Sequence, residues 1–95
     1  MYYLYILKCV DETLYTGITT DLKRRVLEHN ETKLGAKYTA ARRPVELVFF
    51  KKYKNRSTAS QEEARVKGLK RAEKLELVGL KMEKAEGRFA RIKLQ

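Results

Sequence analysis

Tyr2-Tyr3-Leu4-Tyr5-Ile6-Leu7-Lys8-Cys9, the polar break Asp11-Glu12-Thr13 and then Leu14-Tyr15-Thr16-Gly17-Ile18-Thr19 open the chain, and their reading decides the fold. Strict alternation puts Tyr3, Tyr5 and Leu7 on one face of a strand and Leu4 and Ile6 on the other. The break is that of a hairpin, so the second run returns as a short strand with Gly17 inside it.

Asp21 is placed to cap a helix of about a dozen residues running through Lys33, with Gly35 just beyond. At about 100° per residue, Leu22 and Val26 set its buried stripe. Arg25 and His29, an i,i+4 pair, flank that stripe on one side, while Lys23, Arg24 and Glu28 point away. Residues 35–44 read as a basic loop stopped by Pro44, the only proline, and Val45–Tyr53 as a third strand. Thr58-Ala59-Ser60-Gln61 fits a capping box opening a second helix, with Ala59, Val66 and Leu69 inward. Ala72–Ala85, with Leu75, Val78 and Met82 at helical spacing, reads as a third helix, weakened by Gly79 and ended by Gly87; Arg88–Gln95 is a short basic tail. The order β-β-α-β-α-α predicts an α+β fold: a small three-stranded antiparallel sheet flanked by helices. Residues 1–80 form the domain, and 81–95 the end of the last helix and the tail.

Ninety-five residues allow one small domain, and a 36% charged content leaves no apolar stretch long enough to cross a membrane. The apolar run Tyr2–Leu7 is too short and too aromatic for a secretory leader, and Cys9 has no second cysteine to pair with, so a reducing cytoplasm is expected. One cysteine and one histidine exclude a zinc finger. The net charge is +10, of which +2 lies in residues 1–50 and +8 in residues 51–95. Such a field suits a polyanion such as nucleic acid. No phosphate loop of the Gly-x4-Gly-Lys type is present.

The residues left to carry chemistry are Tyr5, Tyr15, Gly17, Arg25, His29 and Glu63. Leu4-Tyr5-Ile6 paired with Tyr15-Thr16-Gly17 resembles the two-part motif of the GIY-YIG nuclease superfamily, and most of all its small stand-alone bacterial members (YhbQ-like). Leu14–Leu22, Arg24-Arg25-x-x-x-His29-Asn30, Gly35-Ala36-Lys37-Tyr38-Thr39, Arg42-Arg43-Pro44-Val45-Glu46-Leu47-Val48 and Glu63-Ala64-x-Val66-Lys67-x-Leu69 follow in the family's order. The likeness spans roughly residues 2–80. It departs where Tyr3 replaces the first motif's glycine, where Ile18 replaces a lysine of the excision-repair branch, and in having no late asparagine after Glu63.

The resemblance implies a metal-dependent endonuclease acting on DNA, of branched or single-stranded form, in repair or processing. Tyr15 and Tyr5 would orient and activate water, and Arg25 with His29 would meet the scissile phosphate. Arg25 suits this because guanidinium is always charged and forks onto two oxygens. Glu63 would hold one divalent cation, Mg²⁺ or Mn²⁺. The helix wheel alone does not separate it from Glu62, which lies roughly 40° from the stripe against roughly 60° for Glu63. Gly17 would let the backbone approach the site closely. From the residues themselves, Lys37, Tyr38, Arg42, Arg43, Lys51 and Lys52 read as one basic, aromatic-interleaved surface for nucleic acid. Tyr5, Tyr15, Arg25 and Glu63 are expected to converge on one concave surface of the sheet. The rival readings are a non-catalytic nucleic-acid-binding module on the same fold, and a basic RNA- or ribosome-associated protein. Affinity is expected to come from the basic face of the domain, a protein partner or a homo-oligomer.

Overall fold

Tyr2–Lys8 forms strand β1 and Leu14–Thr19 forms β2, paired antiparallel with Tyr5 opposite Gly17 and Leu7 opposite Tyr15. The computed structural model describes residues 1–32 and 35–83. Between the strands, the Asp11 side chain accepts from the amide and hydroxyl of Thr13, and Glu12 takes the left-handed conformation that closes the hairpin. Strand β3 (Glu46–Tyr53) pairs with the other edge of β1, giving a three-stranded antiparallel sheet in the order β2-β1-β3. The α+β architecture expected from the alternation is the one formed.

Because β1 is central and covered on both faces, Leu4, Tyr5, Ile6 and Leu7 are all buried. Leu4 and Ile6 join Val48, Val66 and Val78 in one core; Tyr5, Leu7 and Cys9 join Leu22, Val45 and Leu47 in the other. Helix α1 (Leu22–Glu31), capped by Asp21 accepting from the Arg24 amide, therefore lies on the Tyr5 face. Helices α3 (Arg56–Lys67) and α4 (Arg71–Glu83) supply Val66 and Val78 to the opposite face.

Two local readings are corrected. The stretch expected to be loop contains a one-turn helix, α2 (Lys37–Ala40), too short to show a period in sequence. Helix α3 begins three residues earlier than the capping box suggested, at Arg56 rather than Ala59. Asn55 is its cap, with Oδ1 accepting from the Thr58 amide at 2.9 Å. Asparagine is the better cap of the two, and Thr58 is left exposed inside the first turn. Gly87, the tail Arg88–Gln95 and the ends of the helices at Lys33 and Ala85 lie outside the described residues, as does the side chain of Met82. Among the described residues no helix is long and apolar enough to cross a membrane.

Candidate active site

Tyr5 points from the middle of β1 into the face that α1 covers. The Leu22–Val26 stripe seats α1 there, and the i,i+4 spacing carries Arg25 and His29 to the tyrosine. Tyr5 Oη lies 2.9 Å from His29 Nε2, and Arg25 Nε donates to the same oxygen at 3.4 Å. Arg25 also donates to Glu28 at 2.9 Å. The other ring nitrogen of His29, Nδ1, lies 2.7 Å from Thr39 Oγ1 on α2. Tyr5, His29 and Thr39 are buried. Gly17 stands opposite Tyr5 on β2, and a Cβ there would come within 2.5 Å of the Tyr5 hydroxyl oxygen. The glycine makes room for the phenol.

Burial sets the electrostatics of this group. It pushes the Tyr5 hydroxyl up to about 12, against the hydrogen bond and charge of Arg25, with Tyr15 and Glu63 adding to the rise. It lowers His29 to about 4, helped by the charges of Arg25 and Arg43 and opposed by Glu28. At neutral pH Tyr5 therefore keeps its proton and His29 is the neutral imidazole.

Tyr15 is half-buried and packs against His29, with ring centroids 5.1 Å apart, and stacks on Tyr38 at 6.0 Å. Arg42 lies over the Tyr38 ring at 4.1 Å, held by Asp11 Oδ2 at 3.0 Å and by the Tyr38 carbonyl at 2.8 Å. Layers thus run from the buried histidine through two tyrosines to a partly exposed guanidinium.

Several expectations are placed differently by the structure. His29 is buried with both ring nitrogens engaged, one by Tyr5 and one by Thr39, so it is reached through the tyrosine rather than from solvent. Arg43 donates from Nε to the His29 carbonyl at 2.6 Å, and from Nη2 to the Thr32 carbonyl. It satisfies carbonyls at the C-terminal end of α1 rather than facing solvent. Lys51 and Lys52 are both exposed on β3, opposite Leu4 and Tyr3 respectively, so they point to opposite faces of the sheet and form no single patch. Lys37 is exposed at the start of α2.

Arg25 rides on α1, whose Leu22 packs with Tyr5, and Glu63 on α3, whose Val66 packs with Leu4 and Ile6. They act on a common point, the Tyr5 hydroxyl. Arg25 donates to it, and the charge of Glu63 raises its pKa. Glu63 is half-buried with Oε2 3.0 Å from Lys67 Nζ, whereas Glu62 is held by Arg65 at 2.8 Å. Among the described residues no three His, Cys, Asp or Glu side chains cluster to hold a metal. A single hard carboxylate, once parted from Lys67, fits an ion that keeps most of its waters and takes further oxygens from a phosphate. Reading along the sequence missed Thr39 and Glu28. The only signal was that a buried histidine and a core-flanking arginine each need a polar partner.

A family model described as the GIY-YIG catalytic domain matches residues 1–76. A UPF0213 protein of Syntrophus aciditrophicus is 50% identical over 76 residues, covering 80% of this chain and 87% of its own length. One from Natronomonas pharaonis is 52% identical over 77 residues, covering 81% and 89%. The solution NMR structure of a UPF0213 protein from Bacillus halodurans superposes with a TM-score of 0.59 at 42% identity, covering 92% of this chain and 93% of that one.

Proposed function

The chain belongs to the GIY-YIG catalytic domain family, and from that premise we propose that it is an endonuclease that hydrolyses DNA phosphodiester bonds with a divalent cation, Mg²⁺ or Mn²⁺. One observation carries the reading. A buried tyrosine hydroxyl is bonded at once to a neutral histidine and an arginine, within the field of a carboxylate on a different element.

Each group then has a task. Tyr15, the half-buried tyrosine, orients the attacking water. Tyr5 is a poor base by itself, since its hydroxyl lies at about 12. Its bond to neutral His29 gives its own proton an acceptor. As the water oxygen attacks phosphorus, its proton passes to Tyr5 Oη, and the proton of Tyr5 passes to His29 Nε2. Tyr5 stays neutral throughout; burial, Arg25 and Arg43 oppose the imidazolium and Glu28 offsets them only in part, so the proton is held there briefly and passed back. Arg25, which reaches Tyr5 over a long 3.4 Å contact, turns its guanidinium to the phosphoryl oxygens as charge builds on them. Glu63 would hold the cation, whose chemistry is to stabilise negative charge on the leaving oxygen.

DNA is drawn by the +10 charge of the chain. Lys37, Arg42 and Tyr38 border the site, and Lys52 extends the same face of the sheet. The Tyr38 ring is already engaged by Tyr15 and Arg42, so backbone contact and shape, not base stacking, set the preference. We place the substrate among branched, flapped or single-stranded DNA, in repair or processing. Purified protein incubated with such DNAs and Mg²⁺ or Mn²⁺ should cut at least one of them, and EDTA should abolish cutting. Tight, salt-sensitive binding without cleavage of any substrate under either metal would make the chain a binding module instead.

A further inference from the structure

We propose that Thr39 is a positioning residue that fixes the tautomer of His29, so that the lone pair of Nε2 faces the Tyr5 hydroxyl. The directions of the hydrogen bonds can be assigned one by one. Arg25 Nε can only donate, so Tyr5 Oη accepts from it and keeps its own proton for another partner. That partner is His29 Nε2, 2.9 Å away. At the far end, the Thr39 hydroxyl donates its single proton to the Ala36 carbonyl at 3.0 Å. Thr39 Oγ1 is left as an acceptor towards His29 Nδ1, 2.7 Å away, so Nδ1 carries the imidazole proton. The run is continuous and one-way: Arg25 to Tyr5, Tyr5 to His29, His29 to Thr39, Thr39 to the backbone of residue 36.

The reverse tautomer breaks this order. It would put a proton on Nε2, pointing at an oxygen that already accepts from Arg25, and would leave the buried Tyr5 hydroxyl proton without its acceptor. A buried donor left unpaired is costly enough to hold the population on one side. Thr39 is itself completely buried, and its hydroxyl lies within hydrogen-bond reach of the Ala36 carbonyl on one side and His29 Nδ1 on the other. Thr39 touches no substrate. It acts through His29, much as a histidine that must accept a proton at one nitrogen needs its other nitrogen anchored. The kinetic consequence rests on the nuclease reading; the tautomer does not.

The chain has a single histidine, so the ring nitrogens can be observed without assignment ambiguity. Long-range ¹H–¹⁵N spectra of the whole protein at neutral pH should show Nδ1 protonated and Nε2 bare. Thr39→Val, or Thr39→Ala if the valine variant does not fold, should shift the ring towards the Nε2-protonated form or a mixture. Thr39→Ser should restore the wild-type pattern. Cleavage should fall about 10- to 100-fold in the valine or alanine variant and return with serine. Wild-type protein with its proton on Nε2 would overturn the assignment. So would a valine or alanine variant that keeps the wild-type nitrogen pattern. Spectra as expected from a protein that cleaves nothing would uphold Thr39's hold on the tautomer and reject the nuclease reading alone.

Discussion

A side chain at residue 17 and the hydroxyl of Tyr5 cannot both occupy the places the fold gives them, for a Cβ on Gly17 would stand 2.5 Å from Tyr5 Oη and 2.7 Å from its Cζ. The neighbour that must give way is a rigid, buried ring, and moving it breaks the bond to His29. Gly17→Ala should therefore cost about 1–3 kcal/mol in a denaturation curve, the usual range for overpacking. It should also change the His29 nitrogen spectrum. An alanine variant with wild-type stability and an unaltered spectrum would refute the steric account.

His29 predicts a definite pH response. Its folded pKa of about 4 lies below the ordinary 6.5, so between those values the unfolded chain holds a proton that the folded chain does not. The contribution is fully present above pH 6.5 and is lost as pH falls through 4. At about 1.4 kcal/mol per unit it amounts to about 3 kcal/mol. The carboxyls of Asp11 and Glu62 are also held low, but from ordinary values of 3.8 and 4.5 they act further down the scale. Melting temperatures between pH 4 and 7 should fall steeply for wild type and less so for His29→Gln. Equal slopes would contradict the assignment.

Binding should weaken steeply with salt even without metal, given the net charge of +10. Because Lys51 and Lys52 face opposite sides of the sheet, charge reversal at each should not be equivalent. Lys52→Glu, on the Tyr5 side, should weaken DNA affinity and lower the salt slope by about one, and Lys51→Glu should do less. Fluorescence anisotropy across a salt series decides this. Equal effects would mean that DNA does not choose a face.

Arg43→Ala separates scaffold from interface. The guanidinium closes carbonyls of residues 29 and 32 at the end of α1, so its loss should cost about 1–3 kcal/mol of stability. At temperatures where the variant is folded, DNA affinity should drop by no more than one charge accounts for. A large loss of affinity with unchanged stability would return Arg43 to the binding surface.

What could be read from the sequence followed from periodicity. Alternation along Tyr3–Leu7 assigned both faces of β1, and the wheel of α1 placed Arg25 and His29 beside the core, where they are found. What could not be read were contacts that no local period encodes. Lys37–Ala40 is one turn long and has no stripe. Arg43 bonds a carbonyl fourteen positions back, and Thr39 meets His29 across ten. The face chosen by α3 was hidden too, because β1 is apolar on both sides, so nothing in its pattern says which helix covers which. Arg25 and Glu63, expected on one surface, are both felt at the Tyr5 hydroxyl, the first through a hydrogen bond and the second through its charge.

The most direct test of that shared site is cleavage and DNA affinity measured side by side on wild type, Arg25→Ala, Glu63→Gln and Glu62→Gln. Glutamine keeps the shape of Glu63 and removes the charge a cation needs; alanine removes the guanidinium that meets the phosphate. Both of these variants should stay folded, bind DNA nearly as well as wild type and lose cleavage by about a hundred- to a thousandfold. Glu62→Gln, whose carboxylate is taken up by Arg65, should cleave as wild type does. An active Glu63→Gln beside an inactive Glu62→Gln would contradict the account, as would an Arg25→Ala that cleaves at the wild-type rate.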